Sequence, residues 1–142
     1  MKSNTKPLIK HFILFGIGAF LYLFIDILYR GHTHWTMGVV GGACFLLIGL
    51  INEILTWKTP LLAQGLIGSV IITTLEFISG VVLNIWLDLG IWDYSQVPFN
   101  LMGQICLRFS VAWFFLSIVA IILDDYLRYR LFGEEKPHYK IL

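Results

Sequence analysis

Charge is what this sequence has least of. Only 13% of its 142 residues are Asp, Glu, Lys or Arg, against 58% hydrophobic, and the mean hydropathy is +0.80. That scarcity excludes a disordered chain, a coiled coil and the solvated shell of a soluble enzyme core. Cysteine is also scarce: Cys44 and Cys106 both lie in apolar stretches, which predicts buried thiols and not the disulfide framework of a small secreted domain. The net charge of +1 supplies no basic surface for nucleic acid. There is no G-x-x-x-x-G-K-[ST], no G-x-S-x-G and no H-E-x-x-H, so no motif for ATP hydrolysis, acyl transfer or zinc proteolysis is present. Internal repeats and low-complexity segments are absent as well.

What remains is long apolar runs. Crossing about 30 Å of hydrocarbon takes roughly 20 helical residues at about 1.5 Å each. Four runs qualify, at 12–29, 36–56, 61–87 and 104–123. None alternates with the period of two that a barrel strand needs, and backbone amides in lipid must pair within the segment, so each run predicts a helix. The expected fold is all-α: a single membrane domain over 1–142, four transmembrane helices in an antiparallel bundle, with short hairpins at the first two turns and a long loop at the third. The first run follows Lys2, Lys6 and Lys10 as a signal peptide would, but it runs on to Asp26 and Arg30 without a small-x-small cleavage site, so it is expected to be retained.

Basic residues orient the bundle. Lys2, Lys6, Lys10, Lys58, Arg128, Arg130, Lys136 and Lys140 fall on one side, and Arg30 alone on the other. By the positive-inside rule this eight-to-one excess places both termini in the cytoplasm of a multi-pass protein of the inner or plasma membrane. The loop 88–103, with Trp92, Tyr94 and Phe99, then faces outward. After the fourth run, Asp124 and Arg128 form an i,i+4 pair and Gly133 reads as a helix stop, which predicts a solvated helical extension over 124–132 or a docking surface for a cytosolic partner.

Chemistry is concentrated in the third run. Gly65, Ser69, Thr73, Glu76, Gly80 and Asn84 share one stripe at a period of 3.6, with Gly68 at its margin. Gly38, Gly42 and Gly49 form a small-residue stripe on the second run. Such stripes are either packing faces, where small residues let backbones approach, or the wall of a hydrated conduit. Glu76 near mid-span and Arg108 one turn inside the fourth run need partners, because an isolated charge at depth costs about 2.5–3.5 kcal/mol or more. The expectation is that they pair across helices, with Asp26 as the competing carboxylate; together with Asn84 and Thr73 they make an intramembrane polar site for an ion, proton or substrate. His32 and His34 lack companion ligands for zinc, and no catalytic residue, metal or cofactor is assigned. In the loop, Asp93 can close a turn, while Trp92, Tyr94 and Asn100 either anchor it at the interface or make it a lid.

The blocks Glu76-Phe77-x-x-Gly80, Trp92-Asp93-Tyr94-Ser95, Pro98-Phe99-Asn100 and Gly103-x-Ile105-Cys106-Leu107, with Ser110 and Trp113, resemble a bacterial integral-membrane family labelled ABC-transporter type IV. The resemblance runs over residues 75–113. It implies a permease-like component served by a separate ATPase subunit, and the small size of the bundle adds a homo-oligomer as an expectation. A non-transporting scaffold and a membrane-embedded lipid-modifying enzyme are the rival readings.

Overall fold

Pro7 opens the first helix, where its missing N–H is no loss, and Gly31 closes it in the left-handed conformation at φ +80°, its N–H bonded to the Ile27 carbonyl at 2.8 Å. This is α1 (Pro7–Arg30) in a computed structural model that describes residues 6–55 and 57–141. The expected end of the second run at Thr56, and Lys2 of the charge count, lie outside the described residues. His34 then caps α2 (Trp35–Gly49) by accepting the Thr36 N–H on Nδ1 at 3.3 Å. A single turn, α3 (Ile51–Ile54), completes the second apolar segment.

The third segment starts behind Pro60 as α4 (Leu61–Gly80) and widens into a π-helical stretch (Val81–Trp86). A two-residue antiparallel hairpin, β1 (Asn100–Leu101) and β2 (Ile105–Cys106), precedes α5 (Leu107–Phe132), which ends at Gly133 in the left-handed conformation. The fourth helix therefore begins at Leu107, not at Gln104, which sits in the hairpin turn. It also runs unbroken through the stretch read as a solvated extension. All four segments are long and apolar enough to span a membrane.

Glycines set the packing. A Cβ at Gly42 would lie 2.8 Å from the Phe15 carbonyl, one at Gly18 or Gly41 would collide with Phe45 or Tyr22, and one at Gly65 or Gly68 would meet Ile118 at 2.7 Å or Ser117 at 2.6 Å. The two small-residue stripes consequently serve mainly two separate hairpins, α1 with α2 and α4 with α5, except that Gly49 at the end of α2 packs against Asp124 of α5. They do not face one another. Ser69 Oγ donates to the Ser110 carbonyl at 2.6 Å and Thr73 shares a hydroxyl contact with Ser110 at 2.9 Å, stitching the second hairpin. Where the hairpins meet, Ile48, Ile72 and Ile121 form a buried apolar core with Cys44. Phe12, Phe20, Leu66, Val70, Phe115 and Val119 stay exposed, which in this class of chain is the surface offered to lipid.

Candidate functional site

At the loop end of the bundle, two carboxylates stand close to one cavity and are treated differently. Asp26 on α1 receives Arg30 Nε and Nη2, both at 2.7 Å, from the next turn of its own helix, and the Thr33 hydroxyl at 2.7 Å. Arg30 Nη1 donates to the Ile91 carbonyl at 2.7 Å, so the same guanidinium ties the loop to α1. Asp26 is thus neutralised locally.

Glu76 on α4 is not. It is 8% exposed, accepts the Tyr94 hydroxyl at 3.1 Å on Oε2 and the Trp113 indole N–H at 3.3 Å on Oε1, and both donors are neutral. Among the described residues it forms no ion pair, and the expected contact with Arg108 does not occur. The reason is the start of α5: Arg108 lies in its first turn on an exposed face, with its guanidinium carbon 5.9 Å from the Phe109 ring centroid. Depth estimated along a helix axis says nothing about the direction in which a side chain leaves it.

The loop reaches Glu76 because it is built to hold one shape. Trp92 is buried with its indole N–H on the Gln104 carbonyl at 3.0 Å, and the Tyr94 N–H meets the Gly103 carbonyl at 2.7 Å. Asp93 accepts the Ser95 N–H at 2.8 Å, which holds its carboxyl below the usual carboxylate range. Asn100 bridges from the Val97 carbonyl to the Gly103 N–H. Asn84, in the π-helical stretch, donates to Gln104 and accepts the Ile91 N–H, so it positions the loop and does not line the cavity. Thr73 likewise belongs to the α4–α5 stitch. Of the loop aromatics, Trp92 and Tyr94 turn inward, while Phe99 stays 82% exposed as an interfacial anchor would.

The resulting cavity measures about 270 Å³ and is walled by Tyr22 and Tyr29 of α1, Trp92 and Tyr94 of the loop, and Phe109 and Trp113 of α5, with Glu76, Asp26 and Arg30 as its charged members. Sequence reading missed Tyr22, Tyr29 and Phe109. The available signal was their spacing: Tyr22 and Asp26 lie one turn apart on α1, and Phe109 and Trp113 one turn apart on α5.

A second polar cluster closes the termini end, and sequence reading placed it in solvent. Asp124, Asp125 and Arg128 are instead 0%, 5% and 2% exposed. Arg128 meets Asp124 at 2.8 Å and Glu53 at 3.4 Å, and Lys10 pairs with Glu134 at 3.0 Å. Asn52 and Tyr139 both donate to Asp125, at 2.6 and 2.8 Å. Burial and that bond push the Tyr139 hydroxyl's pKa up. Gly49 of α2 covers Asp124, and the C-terminal tail folds back over Asp125 through Tyr139, with the Lys140 carbonyl taking the Leu61 N–H at 2.5 Å.

Four apolar helices with a loop-capped aromatic cavity define a polytopic helical membrane protein. The chain matches the family described as Putative ABC-transporter type IV over residues 8–138 and belongs to that family. The match extends well beyond the 75–113 stretch on which the resemblance was first legible. No solved structure matches the chain.

Proposed function

We propose that the chain is the membrane-embedded, solute-binding component of a transport system, with its site in the cavity at Glu76. One observation carries this reading: a buried carboxylate with only neutral hydrogen-bond donors borders a cavity of about 270 Å³. An intramembrane charge is costly, and at the same cavity Asp26 ends against a counter-ion, Arg30. Glu76 has space in that place instead.

A smaller apolar cavity of about 120 Å³ shares Tyr22, Ile25 and Trp113 with the first and extends to Val119 and Leu123, towards the Asp124–Arg128 cluster. Movement of the shared side chains would join the two spaces. Four helices enclose little more, so a complete path is better supplied between copies of a homo-oligomer. Energy would come from a separate ATPase chain, since the sequence carries no nucleotide-binding loop. The eight-to-one basic asymmetry supports cytoplasmic termini, with the Glu76 cavity opening on the opposite side.

Accessibility tests the reading directly. Ala112 lines the cavity and is exposed. Ala112→Cys, made with Cys44→Ala and Cys106→Ala, should react with a membrane-impermeant maleimide in intact cells. Reaction only after permeabilisation, or on neither side, would overturn the placement of the site.

A further inference from the structure

We infer that the Glu76 cavity takes a weakly hydrated organic cation of the alkylated-ammonium class. The inference rests on the cavity being a binding site and goes on to name what fits it. The sign of charge comes first. Three charged side chains border the space, the carboxylates of Asp26 and Glu76 and the guanidinium of Arg30. All three nitrogens of Arg30 already donate, Nε and Nη2 to Asp26 and Nη1 to the Ile91 carbonyl, and its charge is paired with Asp26. Among the residues that line the cavity, an anion would find the one guanidinium already paired with Asp26, and would face Glu76. A cation would complete Glu76, whose present partners are a hydroxyl and an indole N–H.

The walls then select the kind of cation. Tyr94 and Phe109 are stacked with centroids 4.9 Å apart, and Phe109 with Trp113 and Tyr22 with Trp113 are tilted pairs at 6.4 Å, which links four rings into one aromatic cluster beside the carboxylate. Ring faces attract a cation through their quadrupole, and they do so best for one that sheds little water on entry. They cannot replace the oxygen shell of a sodium, magnesium or calcium ion, which asks for several oxygen ligands. Among the described residues no three His, Cys, Asp or Glu side chains are grouped to hold a metal. The protein also displays the interaction at the rim, where the Arg108 guanidinium stands over Phe109. Finally, about 270 Å³ lies at the lower end of small-molecule cavities, so the occupant is a compact ammonium and not a lipid.

The test uses the full chain in nanodiscs, with intrinsic tryptophan fluorescence and protection of the thiol introduced by Ala112→Cys as two readouts. Tetramethylammonium, choline and benzyltrimethylammonium are the probes, and 3,3-dimethylbutanol is the uncharged counterpart of choline. Saturable quenching and slowed labelling are expected for the cations, with the alcohol at least tenfold weaker. Glu76→Gln should weaken choline at least tenfold and leave the alcohol unchanged. Tyr29 is 69% exposed, so Tyr29→Leu removes a ring at little risk to folding and should weaken the cations severalfold. Equal binding of choline and the alcohol, or cation binding indifferent to Glu76→Gln, overturns the cation assignment. If acetate or an uncharged solute binds instead and protects the same thiol, the assignment falls while the cavity stands as the site. If no probe of any charge acts on either readout, both readings fall.

Discussion

Replacing Arg128 by Gln should be among the most damaging single changes in this chain. The side chain is 2% exposed and its guanidinium sits 2.8 Å from Asp124 and 3.4 Å from Glu53, with Glu134 at 3.9 Å. Removal leaves four carboxylates, Asp124, Asp125, Glu53 and Glu134, in one cluster, with Lys10 as the close cation that remains among the described residues. Breaking a buried pair by deleting one partner costs about 3–5 kcal/mol, because the other charge stays desolvated. Asp124→Asn, which keeps the shape packed against Gly49, should also destabilise, since it leaves the buried guanidinium short of a partner. The double variant should lose far less than the sum, and less than Arg128→Gln alone. The measurement is a double-mutant cycle on the full chain, by SDS-induced unfolding from mixed micelles followed through tryptophan fluorescence. Losses that add to within about 0.5 kcal/mol would show two independent side chains and refute the ion-paired cluster.

Three further outcomes are expected. Gly42→Leu should lower stability by about 1–3 kcal/mol or more, since its Cβ would stand 2.8 Å from the Phe15 carbonyl, whereas Gly16→Leu, with nothing within 4 Å, should lose no more than its small change in local packing; equal thermal stability of the two would place Gly42 on an open face. Glu76→Leu and Arg108→Leu should act additively in an unfolding cycle, and a coupling above about 1 kcal/mol would restore the ion pair that the structure lacks. Gln96→Cys should label from outside intact cells and Lys136→Cys only after permeabilisation, and the reverse pattern would invert the orientation drawn from the basic residues.

The helices were legible because the bilayer imposes a length on them, and apolar runs of that length are hard to mistake. Their ends were less so. Gln104-Ile105-Cys106 reads as the start of a span by hydropathy alone, yet Met102 and Gly103 both adopt positive φ there and turn the chain into a hairpin. The π-helical stretch from Val81 is invisible to hydropathy, since one wider turn changes register and not composition. At the other end, the i,i+4 relation of Asp124 and Arg128 was read correctly but their burial was not. It depends on Gly49 packing on Asp124, Glu53 meeting Arg128 and Tyr139 bonding Asp125, contacts that no local pattern announces. Glu76 stood out as a charge at depth, whereas its partners Tyr94 and Trp113 come from a loop and from another helix.

The treatment of the buried charges separates structure from site. Asp26 has Arg30 on the next turn, and Asp124 has Arg128 on the next turn, so each pair is assembled within one helix and forms as soon as that helix does. Such local pairs need no cavity and ask for no ligand. Glu76 has Gly80 one turn on and Ile72 one turn back, neither able to answer a carboxylate, so its environment can be completed only by tertiary structure. Tertiary structure brings a tyrosine, a tryptophan and a space walled by aromatic rings. A counter-ion could have been encoded at position 72, 73 or 80, as it is on α1 and α5; polar Thr73 goes instead to Ser110. Asp125 too accepts only from neutral donors, Asn52 and Tyr139, but it has Arg128 three residues on in its own helix; Glu76 has no such cation, and its missing partner is expected from outside the chain.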